Sequence, residues 1–223
     1  MEENADTRHN ASMAFVSGEL SRPGSRDYHR GEPSIPGGPL NQTEPDVQPM
    51  GTPNPRSVKF LTDHTLLKSG SADFRDPESA RDSLLARRLF DLDGVEGVFI
   101  CANFLTVTAS SDDRWNSLAP QIVRTVKELI LSGEPLVAEP EKVSSADGSD
   151  VANRIREILD QQIRPAVAMD GGDIVFVGFD QGVVRIQMQG ACGGCPSSTM
   201  TLKSGIEARL RHLVPEVETV EAV

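Results

Sequence analysis

Only three cysteines occur in 223 residues. An odd and small number does not build the disulfide framework of a small secreted domain, and a close cysteine pair then points to metal or redox chemistry. Basic residues are also scarce, 22 Lys and Arg against 33 Asp and Glu, for a formal net charge of −11. Phosphate backbones are bound by Lys and Arg that displace counterions, so this balance excludes nucleic acid as a partner. It excludes an anionic membrane surface for the same reason. No apolar run of about 18 residues is present, so no segment is expected to span a bilayer. The opening Met1-Glu2-Glu3-Asn4-Ala5-Asp6 lacks a basic and apolar secretory signal, and its acids fit poorly with a transit peptide. A cytoplasmic protein is the resulting expectation. There is no internal repeat. Gly190, Gly193 and Gly194 are not followed by the Lys-Ser/Thr of a phosphate-binding loop. The four histidines show no ligand spacing.

Residues 1–50 hold six prolines and five glycines without apolar periodicity. Such composition buries too little to offset the entropy of ordering, so residues 1–45 are expected to be a disordered tail. Residues 46–133 read as a small βαββα domain. Val58 to Leu61 form a short strand, and Arg81 to Phe90 a helix with Leu84, Leu85, Arg88 and Leu89 in one stripe. Val95–Ile100 and Phe104–Thr108 are β-branched and aromatic, and the short link Cys101-Ala102-Asn103 joins them as a hairpin. Trp115, Leu118, Ile122, Val126 and Ile130 recur at helical steps up to Gly133. Residues 134–149 are polar and broken by Pro135, Pro140 and Gly148, a linker long enough to let its flanks move independently.

Residues 150–223 read as a second small domain, of order αββαβ. Val151, Ile155, Ile158, Leu159 and Ile163 make a helical stripe that Pro165 is expected to end. Asp173–Phe179 and Val183–Met188 are strands joined through Asp180-Gln181-Gly182. Pro196 opens a helix containing Leu202, Ile206, Leu210 and Leu213, and Val217–Val223 is a last strand. The fold class is therefore α+β, in two domains.

The chemistry concentrates in Gly190-Ala191-Cys192-Gly193-Gly194-Cys195-Pro196-Ser197-Ser198. Two thiols three positions apart in one loop can share a metal. The glycines between them let the loop curl and turn backbone N–H groups toward sulfur. With Pro196 at the first helical position, Cys195 sits beside the helix N-terminus, whose partial positive charge favours thiolate and an anionic cluster. A [2Fe–2S] or [4Fe–4S] cluster usually takes four ligands. A homodimer that faces two Cys192–Cys195 pairs across a symmetry axis supplies them. Held at the protein edge, such a cluster can leave as an acceptor's thiolates replace its ligands. The same residues also fit half a zinc site or a dithiol–disulfide oxidoreductase, and the motif alone leaves all three open.

Asp170-Gly171-Gly172-Asp173-Ile174 and Gln189 to Ser198, preceded by Ile163-Arg164-Pro165, resemble the carboxy-terminal domain of NifU and the Nfu-type iron–sulfur scaffold proteins. Thr52-Pro53-Asn54-Pro55-Arg56-Ser57-Val58-Lys59-Phe60 and Gly70 to Phe74 resemble the amino-terminal Nfu domain. The resemblance covers residues 46–223. It implies that Cys192 and Cys195 bind a [4Fe–4S] cluster between two protomers. It implies delivery to apo iron–sulfur proteins, supply by upstream cluster-assembly proteins, and no catalytic turnover. The proline-rich tail departs from typical members.

Other residues take structural readings. Asp170 and Asp173 bound a turn through hydrogen-bonding carboxylates. Cys101 is a small cysteine at a hairpin, Trp115 packs a helix face, and Arg209 and Arg211 mark a solvated helix end.

Overall fold

In a computed structural model of the chain, residues 44–137 and 149–223 are described, with Cys195 and the side chains of residues 196–198 excepted. The expected tail at 1–45 thus falls almost wholly outside the described residues, as does most of the linker.

The first half is a five-stranded sheet with strands in the order β1-β2-β5-β4-β3. Its strands are β1 (Val47–Gly51), β2 (Ser57–Thr62), β3 (Ala72–Phe74), β4 (Val95–Ile100) and β5 (Phe104–Ala109). All neighbours pair antiparallel. Helices α1 (Leu84–Phe90) and α2 (Trp115–Ser132) complete it. The period-2 alternation of β5 sends Leu105 and Val107 into the core with Phe60 of β2, Leu85 and Leu89 of α1, and Leu118, Ile122 and Val126 of α2. Ser83 caps α1 by accepting from the Ala86 N–H at 3.0 Å. The βαββα reading therefore misses two edge strands. β1 carries Pro49 and directly follows the proline-rich stretch in sequence, and β3 is only three residues long.

The second half keeps the expected αββαβ order. Helix α3 (Asp150–Ile158) passes through a π-helical turn (Leu159–Ile163) into α4 (Arg164–Met169). Pro165 does not end the helical run, contrary to the sequence reading. The wider π turn just before it accommodates the missing N–H and the ring, as π-bulges do elsewhere. A long hairpin follows, β6 (Gly172–Asp180) with β7 (Val183–Gly190), turning at Gln181 and Gly182, both of positive φ. Then come α5 (Pro196–Leu213) and β8 (Thr219–Ala222), which pairs parallel to β7. Ile155, Leu159, Ile174, Ile186, Ile206 and Leu210 are the centre of this second core. Among the described residues no helix is long and apolar enough to cross a membrane.

Both sheets belong to a single unit, Thr43–Val223. Strands β4 and β5 meet β7 directly, on the sheet face opposite the first core.

Candidate functional site

Cys192 sits two residues past the end of β7, in the loop that leads into α5. The loop is tight. Ala191 N–H donates to the Gly171 carbonyl at 3.2 Å, and Gly193 N–H donates to the Gly190 carbonyl at 3.1 Å. Thr199, in the first turn of α5, donates its hydroxyl to the Cys192 carbonyl at 2.9 Å. Gly171 and Gly190 have φ of +81° and +64°, a region that glycine enters without the Cβ penalty. Each is also closely approached: a Cβ on Gly190 would stand 2.6 Å from the Gly171 carbonyl oxygen and 2.9 Å from the Phe99 ring.

The Cys192 side chain points inward, against Gly172, and the residue is only 6% exposed. Burial pushes its thiol up to about 11, and the charges of Asp170 and Asp173 act the same way. The helix-terminus effect was expected at Cys195, the other ligand read from sequence, which lies outside the described residues. Gly193 and Gly194 between the two are exposed. A pocket of about 370 Å³ opens over Cys192, lined also by Pro53, Asn54, Asp170, Thr201 and Leu202.

Asp173 lies under the loop with its side chain 6% exposed. Arg164 grips it with two parallel bonds, Nε to Oδ1 and Nη2 to Oδ2, both 2.7 Å. These bonds, together with one to Asp160, hold the Arg164 guanidinium above the usual arginine range against its partial burial. Asp173 also accepts from the Ile174 N–H and from the Ser71 hydroxyl. It is a buried ionic post beneath the loop, more than the turn boundary expected from sequence.

The first half reaches the site in several places that sequence reasoning missed. Asn54 Nδ2 donates to the Ala191 carbonyl at 3.3 Å, and Lys59 Nζ to the Ala168 carbonyl at 2.7 Å. Thr106 Oγ1 donates to the Gly171 carbonyl at 2.7 Å, and Arg75 Nη2 to the Met188 carbonyl at 3.2 Å. Gly190 N–H donates to Asp73 at 3.3 Å. The available signal was the alternation itself: Lys59 and Thr106 stand on the strand face opposite Phe60 and Leu105, yet are 9% and 1% exposed. Cys101 is half-buried at its hairpin, as expected, with its thiol near the Gly70 carbonyl. Trp115 packs against the first core and donates its indole N–H to the Pro55 carbonyl.

Comparison with known proteins accounts for both halves. A family model described as "Scaffold protein Nfu/NifU N terminal" matches residues 47–133, and one described as "NifU-like domain" matches residues 155–221. The chain belongs to the Nfu/NifU family. It is 42% identical over 181 residues to the human "NFU1 iron-sulfur cluster scaffold homolog, mitochondrial", covering 79% of this chain and 71% of that protein. It is 45% identical over 183 residues to "NifU-like protein 4, mitochondrial" of Arabidopsis thaliana, covering 78% and 65%. "NifU-like protein 5, mitochondrial" of the same plant is 44% identical, covering 78% and 66%. The chain thus spans about two thirds of the length of these plant relatives. All three names place the relatives in mitochondria, which overturns the cytoplasmic expectation. That expectation rested on six terminal residues, and a compartment address is read by receptors and leaves no mark on the fold.

As donors, two cysteine thiols on one glycine loop suit iron–sulfur chemistry. They make up half of the usual set. Among the described residues no group of three or more His, Cys, Asp or Glu converges to hold a metal ion.

Proposed function

We propose that this Nfu/NifU chain is an iron–sulfur cluster scaffold or carrier. Cys192 and Cys195 of two copies together hold one [4Fe–4S] cluster, the four thiolates completing a ligand set that one chain offers only by half. The observation that supports this reading is the sequence spacing Cys192-Gly193-Gly194-Cys195, with Cys192 and two exposed glycines on the loop that leaves β7. A cluster shared by two copies would lie between them, once the inward-facing Cys192 thiol turns out of its packed position. Acceptor thiolates can replace the cysteines one at a time, which suits a cargo passed to apo iron–sulfur proteins after supply by cluster-assembly proteins. The chain turns over no substrate in this account. The sequence names of the human and plant relatives support it. The loop follows an antiparallel hairpin, which weighs against a thioredoxin-like redox pair, because that motif follows a strand of a βαβ unit.

Single Cys192→Ser and Cys195→Ser variants test it. Each is expected to fold with unchanged far-ultraviolet circular dichroism yet take up no iron and sulfide on anaerobic reconstitution. An intact cluster in either variant sinks the assignment, and a [2Fe–2S] spectrum would revise the nuclearity.

A further inference from the structure

The outer face of the five-stranded sheet has no reason in its own half to be built as it is. Lys59 and Thr106 are polar, lie on β2 and β5, and are almost fully buried. A buried polar group without a partner is costly, so such positions are normally apolar or solvated. Both partners lie in the other half, on backbone: Ala168 for the Lys59 ammonium and Gly171 for the Thr106 hydroxyl. Among the described residues no buried side-chain polar atom lacks a partner. The Lys59 ammonium also sits 4.3 Å from the centre of the Phe104 ring, and that ring packs with Phe99 at 6.0 Å. Phe99 in turn presses on Gly190. On the other side the fit depends on missing side chains. A Cβ on Gly171 would stand 2.9 Å from Thr106 Oγ1 and 3.4 Å from Lys59 Cβ.

We propose that this sheet face is a docking surface for the cysteine loop of the same chain, and that the docked arrangement is a closed apo state. Pro53 and Asn54, from the turn between β1 and β2, line the same pocket as Cys192. Asn54 holds the Ala191 carbonyl immediately before the thiol. A second copy that brings its own cysteine pair to Cys192 needs this space. Docking and cluster sharing therefore compete, and loading requires the first half to swing off its glycine seat. The gating role rests on the cluster-carrier reading; the docking surface stands without it.

The test uses the full apo chain without iron. Lys59→Met with Thr106→Val keeps side-chain bulk and removes the two hydrogen bonds that join the halves here, while the Ala168 and Gly171 carbonyls each keep a backbone donor of their own half. Cys192 alkylation, assigned by fragmentation mass spectrometry, is expected to accelerate about tenfold or more, in line with the loss of two buried hydrogen bonds. The Gly190 and Ala191 amides are expected to exchange faster in parallel. Ser71→Ala with Arg75→Ala, at less buried positions, provides the second variant should the first misfold, and the same direction is expected. Unchanged alkylation and exchange in folded variants would overturn the dock, whether or not the wild type binds a cluster. Faster alkylation with unaltered cluster-loading rate would overturn the gating. Loss of cluster binding in Cys192→Ser bears only on the carrier reading.

Discussion

Removing the Arg164 guanidinium should cost this fold far more than removing a surface arginine. Asp173 is held by two 2.7 Å bonds from Arg164, with its carboxylate 6% exposed. Breaking a buried pair by deleting one partner typically costs about 3–5 kcal/mol, because a charge is left buried and uncompensated. Two features pull Arg164→Met toward the lower end. The guanidinium is 36% exposed, and the orphaned carboxylate keeps its bonds from Ile174 N–H and Ser71. The expected loss is about 3 kcal/mol, or a fall in Tm of roughly 6–12 °C for a chain of this size. Urea denaturation followed by circular dichroism measures it. The control is Arg81→Ala, whose partner Glu78 is 3.7 Å away with both side chains at least 75% exposed; it should cost less than about 0.5 kcal/mol. An Arg164→Met variant within about 1 kcal/mol of wild type would refute the view of Asp173 as a buried ionic post.

Further outcomes follow from packing and titration. Leu210→Ala, at a fully buried position of the second core, should lose about 2–5 kcal/mol in the same assay. Gly190→Ala should destabilise by more than about 1 kcal/mol, since its φ is +64° and its Cβ would strike backbone and the Phe99 ring; thermal unfolding reads this. Glu207 accepts from the Val220 N–H and the Thr219 hydroxyl, fastening α5 to β8. These bonds, helped by Lys203 and Arg211, hold its carboxyl below the usual glutamate range. A group whose folded pKa is lowered adds stability above the unfolded value, near pH 4.5, and loses it as pH falls through the folded one. Wild type should therefore lose more stability than Glu207→Gln on acidification below about pH 4.5, and parallel pH profiles would contradict this.

Much of this was legible from sequence, where periodicity was strong. Val95–Ile100 was read with the bounds that β4 has, and the stripe from Trp115 to Ile130 lies within α2. Pro165 misled, because the rule that proline ends helices assumes α geometry and the π turn before it relaxes that constraint. Strand β3 was missed because three residues carry no period. The Cys192 loop was placed correctly between hairpin and helix. Its surroundings were not foreseen, since Asn54, Lys59, Ser71 and Thr106 lie more than 60 residues away in sequence, and three of the four reach the loop or the segment beneath it through backbone carbonyls, those of Ala191, Ala168 and Gly171. Backbone acceptors leave no residue pattern to read. The burial that raises the Cys192 thiol was not legible either, because it comes from packing of the loop against distant segments.

The central claim is that Cys192 and Cys195 of two copies share one cluster. Anaerobic reconstitution with iron and sulfide, read by Mössbauer spectroscopy together with solution mass, tests it most directly. The account predicts a monomer when apo and a dimer carrying about four iron and four sulfide when loaded. A chain that stays monomeric and colourless, or that holds a full cluster without dimerising, would contradict it.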